Sequence, residues 1–149
     1  MDKIQSLKGM IDLIANRSDP DDFAESIFRT EDALKNIFVN FGYSEIRTPT
    51  LEDADLFKRS VGDSSDIVNK ELYSFLDKNE KNITLRPENT AGVIRSVIEK
   101  KIDVNTHKFW YLGPMWRYER PQKGRYRQFN QAGIEIIGHP EGVAELEII

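Results

Sequence analysis

From Arg117 to Arg127 the chain sets five cationic side chains, Arg117, Arg120, Lys123, Arg125 and Arg127, against the single carboxylate of Glu119. Guanidinium groups bind phosphate oxygens in pairs and stay charged in a dry site, so this density of donors suits a polyphosphate. The same run also reads as the solvated tip of a hairpin, and composition alone leaves both readings open. No GxxxxGK(S/T) loop is present, so a nucleotide here would not be held in the P-loop manner.

Just beyond it, a period of two puts Phe129, Gln131, Gly133 and Glu135 on one strand face and Ala132, Ile134 and Ile136 on the other. The second face reads as core. On the first, an amide and a carboxylate separated by a glycine leave room for a small molecule to lie against the strand. On the strand before the basic run, Arg117 and Glu119 share a face by the same count. A third segment, Leu85-Arg86-Pro87-Glu88-Asn89-Thr90, breaks a strand at proline and sets Glu88 and Thr90 at a helix start. They read as ordinary first-turn residues, or as the carboxylate and hydroxyl that would accept hydrogen bonds from a ligand ammonium. The three segments together offer acceptors for an amine, donors for phosphates and a carboxylate for a second polar group.

The elements that must position these groups follow from periodicity and punctuation. Asp19 and Pro20 read as the cap and first position of a helix over 19–41, whose apolar residues recur at helical spacing up to Gly42. Residues 43–48 predict a strand ended by Pro49, and 51–70 a polar, mixed stretch with a helical turn around Leu56. A hairpin is predicted from strands 72–76 and 83–86 around the turn composition of 77–82. Then come a helix over 90–101, two long strands over 108–119 and 126–138, and the start of a helix at 142. This order lacks the regular alternation of a doubly wound sheet. It predicts an α+β fold, an antiparallel sheet flanked by helices.

With 149 residues, 39% hydrophobic, the chain can bury the core of one folded unit. A net charge of −4 sets it apart from strongly basic chains that coat nucleic acid, so any nucleic-acid contact must be local. The absence of cysteine excludes disulfides and thiolate chemistry. His107 and His139 are far apart in sequence, so no metal centre is expected from them. Neither a signal-peptide core nor a stretch near ~20 apolar residues is present, so no membrane is expected and the compartment expected is the cytoplasm.

Gly9-Met10 with Asp12, Thr48-Pro49-Thr50-Leu51-Glu52, Phe57 to Gly62, Leu85 to Ala91 and, most specifically, the string from Arg117 to Phe129 resemble histidyl-tRNA synthetase, a class II ligase. The resemblance runs from about residue 8 to 149. It implies a class II synthetase catalytic-domain fold, with the long helix and the strand reaching Pro49 as motif 1, a homodimer interface. It implies ATP-dependent activation of L-histidine to histidyl-adenylate and transfer to tRNA(His), with Mg2+ at the phosphates. Arg117 matches the motif 2 arginine on the α-phosphate and the substrate carboxylate. Glu119 would lie by the adenine, Phe129 would stack on it, and Arg125 would help hold the nucleotide. Glu88, Asn89, Thr90 and Gln131 match the stretch around the histidine ammonium, and Glu135 the acceptor for its imidazole.

Asn89 departs from the family, which usually has glycine there. The resemblance also implies that the histidine-specific arginine and tyrosine segment, motif 3 and the anticodon-binding domain are not among these 149 residues. The chain is therefore expected to be the amino-terminal portion of a catalytic domain, without useful ligase activity alone. Two other readings compete. A synthetase-like regulatory subunit of histidine biosynthesis usually lacks the basic hairpin, which is intact here. A non-catalytic dimerisation or binding module would be indifferent to loss of Arg117.

Overall fold

The computed structural model describes residues 3–15, 23–61, 70–102, 106–140 and 142–148. Helix α1 (Phe23–Asn40) carries the predicted apolar period, while the cap expected at Asp19 and Pro20 lies outside the described residues. It stops at Gly42, φ +76°. There Gly42 N–H donates to Val39 O at 3.0 Å and Tyr43 N–H to Phe38 O at 2.9 Å, the Schellman pattern that calls for a left-handed residue.

Strand β1 (Ser44–Glu45) is shorter than predicted, because the chain beyond Ile46 bonds to Arg86 instead of to a strand. In place of one turn around Leu56 stand strand β2 (Leu51–Asp53) and a full helix, α2 (Ala54–Val61). Asp53 Oδ1 accepts the Asp55 N–H at 3.0 Å and caps that helix. Ala54 and Phe57 are its buried residues, and the charges of Asp55, Lys58 and Arg59 between and beyond them mask the face in a count of apolar spacing. The predicted hairpin forms from β3 (Tyr73–Leu76) and β4 (Asn82–Leu85), its turn fastened by Asp77 Oδ1, which accepts N–H groups of Asn79 at 2.7 Å and Lys81 at 2.9 Å. Helix α3 (Thr90–Glu99), strands β5 (His107–Trp116) and β6 (Gln128–Ile137) and helix α4 (Val143–Ile148) complete the order.

The strands form two small sheets, β1-β5-β6 and β2-β4-β3. One departs from the antiparallel expectation: Ser44 and Glu45 pair in parallel with Phe109 and Trp110. A parallel pair needs a crossover, and the intervening β2, α2, β3, β4 and α3 supply it. The fold remains α+β with helices flanking the sheets. No helix among the described residues is long and apolar enough to cross a membrane.

Core placement differs from the sequence reading. The buried cluster of Val93, Tyr111 and Met115, with Ile46, Phe109 and Phe129 packed against it, lies on the face of β5 and β6 that also carries Gln131 and Glu135. The opposite face, expected as core, is only partly covered: Ala132 is exposed, and Ile134 and Ile136 are half-buried. Helix α1 touches that face through Phe38 against Trp110, ring centroids 5.6 Å apart, and leaves its edge open.

A buried cation joins the two sheets. Arg86, 8% exposed, donates from Nε to Pro114 O at 3.1 Å and from Nη1 to Thr48 O at 2.9 Å and Thr48 Oγ1 at 3.1 Å. Its own N–H donates to Thr50 O, and its carbonyl accepts the Trp116 N–H. Burial lowers its pKa, with Glu52 and then Tyr111 opposing that shift.

Candidate functional site

Pro87 ends β4, and α3 begins three residues later with N–H groups that have no partner inside the helix. Glu88 supplies one: its Oε2 accepts the Thr90 N–H at 2.6 Å and its Oε1 the Ala91 N–H at 3.1 Å. The first-turn reading of Glu88 therefore holds, and it fixes the carboxylate in place. Thr90 Oγ1 donates to Glu135 Oε1 at 2.7 Å, bringing α3 to β6.

The hairpin register sets Glu135 opposite Phe109, Gly133 opposite Tyr111 and Gln131 opposite Gly113, all on the face toward α3. Burial pushes the Glu135 carboxyl pKa up, the Thr90 hydrogen bond pulls it down, and the nearby Glu88 charge pushes it up again. Gln131 Oε1 is buried and accepts no hydrogen bond from the described residues. A buried acceptor without a donor is costly. Glu88, Thr90 and Glu135 thus converge from two elements, with Gln131 on the same strand face as Glu135.

Two expectations are corrected here. The room predicted above Gly133 is filled: a Cβ on Gly133 would lie 2.4 Å from Cζ and from the hydroxyl of Tyr111, so the glycine accommodates the phenol ring. Asn89 does not turn its side chain to the pocket. It is 1% exposed, and its Oδ1 accepts the Thr48 hydroxyl at 2.5 Å and faces Arg86 Nη1 at 3.4 Å, so it belongs to the framework around Arg86.

Arg117 sits just beyond β5. Its Nε donates to Pro87 O at 3.0 Å, and its guanidinium lies 5.1 Å above the Phe129 ring. These contacts aim the cation along the same face as Gln131. The strand face expected to be shared by Arg117 and Glu119 does not persist, because Glu119 N–H folds back on Arg117 O at 2.8 Å. Glu119 is paired across the hairpin instead, Oε2 to Arg125 Nε at 2.9 Å, while Arg127 Nε donates to its carbonyl at 3.0 Å.

The hairpin root is fastened from outside. Gly9 O accepts the N–H groups of Arg127 at 2.7 Å and Gln128 at 3.3 Å, and Glu71 O accepts that of Tyr118 at 2.7 Å. Gly9 has φ +82°, and a Cβ there would meet Arg127 and Pro121 at 3.0 Å. Both tests make it a position for glycine. A broad groove of 980 Å³ between α2, α3 and the second sheet also includes Glu88 and Thr90, but Leu51, Leu56, Ile83, Ile94 and Ile98 make much of its wall. It lacks Arg117, Gln131 and Glu135.

Comparison with known proteins shows the family. The family model for histidyl-tRNA synthetase matches residues 18–149. The chain belongs to the histidyl-tRNA synthetase family. The histidine–tRNA ligase of Legionella pneumophila (strain Lens) is 50% identical over 151 residues, a span that covers 100% of this chain and 34% of that protein. The crystal structure of apo S. aureus histidyl-tRNA synthetase superposes with a TM-score of 0.75 at 36% identity, covering 98% of this chain and 32% of that one. A Bacillus halodurans C structure, described as an ATP phosphoribosyltransferase regulatory subunit/histidyl-tRNA synthetase, gives a TM-score of 0.77 at 26% identity, covering 99% of this chain and 37% of that one. The chain spans about a third of the length of the curated relatives it matches.

Within this chain, sequence reasoning missed Tyr111 and Arg86. Both lie over glycines on one sheet face: Tyr111 over Gly133, and Arg86 Nη2 3.0 Å from a Cβ on Gly113. Two glycines in paired strands were the available signal. Which side chains fill the gaps depends on the register.

Proposed function

We propose that the protein carrying this chain is a histidine–tRNA ligase, to which these residues contribute the ammonium and imidazole acceptors and the first phosphate-binding cations. The observation that carries this reading is the convergence of Glu88, Thr90 and Glu135, joined by the 2.7 Å Thr90–Glu135 hydrogen bond, with the unpartnered Gln131 Oε1 on the same strand face. Such a set takes a cation with several N–H groups, as the ammonium of an amino acid is, and Glu135 takes the imidazole N–H.

The histidine carboxylate attacks the α-phosphorus of ATP and expels pyrophosphate, leaving histidyl-adenylate. The 3′-terminal hydroxyl of tRNA(His) then displaces AMP. Arg117, held by Pro87 O and Phe129, stabilises the charge that develops on the phosphorus, and a cation already in place needs no reorganisation at that moment. Phe129 and Glu119 take the adenine, and Arg125 takes the phosphates. Mg2+ accompanies ATP. Among the described residues no group of three His, Cys, Asp or Glu side chains is placed to hold a metal ion.

The partners are L-histidine, ATP, tRNA(His) and a second copy of the protein, in the cytoplasm. The outward side chains of Phe23, Ile37 and Val39 on α1, with Phe41 just after it, support a homodimer through that helix. The exposed Arg120 and Lys123 support local contact with tRNA, which weakens as salt rises. The regulatory-subunit reading draws on the Bacillus halodurans likeness. The Glu119–Arg125 pair on a complete basic hairpin favours the ligase.

The test is histidine-dependent exchange of labelled pyrophosphate into ATP by the full-length protein, with Arg117→Ala as control. Exchange that needs histidine and Arg117 supports the ligase. Histidine binding without exchange supports the regulatory subunit.

A further inference from the structure

The ladder between β5 and β6 ends at the pair Trp116 and Gln128, with one further bond from Arg117 N–H to Arg127 O at 2.9 Å. Beyond it the arms of the basic hairpin next meet by backbone at the bridge of Gln122 with Arg125. A two-stranded arm with so little ladder has little in its own backbone to set the direction in which it leaves the sheet.

The root is held from outside on both arms. The outgoing arm gives the Tyr118 N–H to Glu71 O at 2.7 Å, and the Tyr118 ring stands edge-on to Tyr73 with centroids 5.3 Å apart. The returning arm gives two N–H groups, those of Arg127 at 2.7 Å and Gln128 at 3.3 Å, to the single carbonyl of Gly9. Arg127 ties the two arms together: its guanidinium lies 4.0 Å from the Tyr118 ring centroid, and its Nε donates to Glu119 O at 3.0 Å.

At Gly9 the approach is close enough to exclude a methyl group. A Cβ there would meet Pro121 Cγ on the outgoing arm and Arg127 Cγ on the returning arm, both at 3.0 Å, and the backbone is left-handed at φ +82°. A few residues on, Ile11 and Leu13 share a cavity of 170 Å³ with Phe23 and Ile27 of α1 and with Tyr126 and Phe129. The segment thus stays against the returning arm.

We propose that Gly9 is a positioning residue for ATP: its carbonyl and its bare Cα fix the angle at which the hairpin leaves the sheet, and with it Glu119, Arg125 and Phe129. This rests on the ligase reading above and adds to it a residue that acts on the nucleotide through the hairpin. The amino-acid acceptors are set by a different contact, Thr90 to Glu135, so the effect falls on ATP and not on histidine.

The experiment compares the full-length protein with its Gly9→Ala and Ile11→Ala variants in pyrophosphate exchange, varying histidine and ATP separately, and follows amide hydrogen exchange at the hairpin root. Gly9→Ala is expected to raise the KM for ATP about tenfold, within the roughly 100-fold that a misplacement of about 1 Å can cost. Hydrogen exchange at Arg127 and Gln128 should quicken, and the KM for histidine should stay level. Ile11→Ala, which leaves the Gly9 backbone unstrained, is expected to raise the KM for ATP by a smaller factor. A folded Gly9→Ala protein with the parent's KM for ATP, or one that raises both KM values alike, overturns the proposal and leaves the ligase reading intact. Should Gly9→Ala fail to fold, a parental KM for ATP in Ile11→Ala overturns it instead. A parent that shows no exchange with histidine at all overturns the ligase reading, and the proposal with it.

Discussion

Thr90 at the head of α3 and Glu135 on β6 are 45 residues apart in sequence and 2.7 Å apart at their side-chain oxygens. That bond joins the segment proposed to hold an ammonium to the strand proposed to hold an imidazole.

The pH response of histidine binding follows from it. Burial first, opposed by Thr90 and reinforced by Glu88, raises the Glu135 pKa above that of an ordinary glutamate. Once protonated, Glu135 offers a hydrogen where the imidazole needs an acceptor. The KM for histidine is expected to rise as pH falls through this raised pKa, while the KM for ATP stays level. For folding the sign is the reverse of the usual carboxylate. A raised folded pKa gives stability that is full below the unfolded pKa and is lost as pH rises through the folded one. Glu135→Gln should therefore abolish histidine-dependent exchange yet melt no lower than the parent at neutral pH, and a clearly lower Tm would count against this account.

Arg117 carries the phosphate chemistry in this scheme. Arg117→Ala is expected to reduce histidine-dependent exchange by about 100-fold or more. Arg117→Lys should restore little, since the guanidinium that lies over Phe129 is anchored through its Nε on Pro87 O.

Arg86 is a stability residue by contrast. Arg86→Met leaves the part-buried carbonyls of Thr48 and Pro114 without their donor. Chemical denaturation should show a loss of about 3 kcal/mol, which is the scale for two unsatisfied buried acceptors. A loss under 1 kcal/mol would mean that the two sheets are joined by something else.

Two helix ends give a matched pair of predictions. Helix α3 ends as α1 does, with Lys101 N–H on Ile98 O and Ile102 N–H on Val97 O, but its left-handed residue is Lys101 at φ +51°, not glycine. Lys101→Gly is expected to stabilise the fold by about 0.5–1 kcal/mol, and Gly42→Ala, with nothing within 4 Å to clash, to destabilise it by about 1 kcal/mol through backbone strain alone. Urea midpoints that move in the same direction for both would contradict the capping argument.

What the sequence determined by itself is whatever is repeated locally. The helical spacing of α1 and α3, the stop at Gly42, the turn at Asp77 and the two-residue period of β6 are all written within a few neighbours, and they placed Gln131 and Glu135 on one face. Arginine-rich strings and Leu85 to Thr90 likewise marked the site's residues by type. What only the tertiary structure decided depends on partners distant in the chain. Strand β6 begins at Gln128, not 126, because the Arg127 N–H that would continue the ladder is taken by Gly9 O. Asn89 turned inward because Thr48 and Arg86 offered it partners that its position beside two pocket residues does not reveal. The space above Gly133 was open on the strand and closed in the fold, since a glycine states only that something approaches. The β5–β6 register brings Tyr111 there, and a register belongs to two strands together.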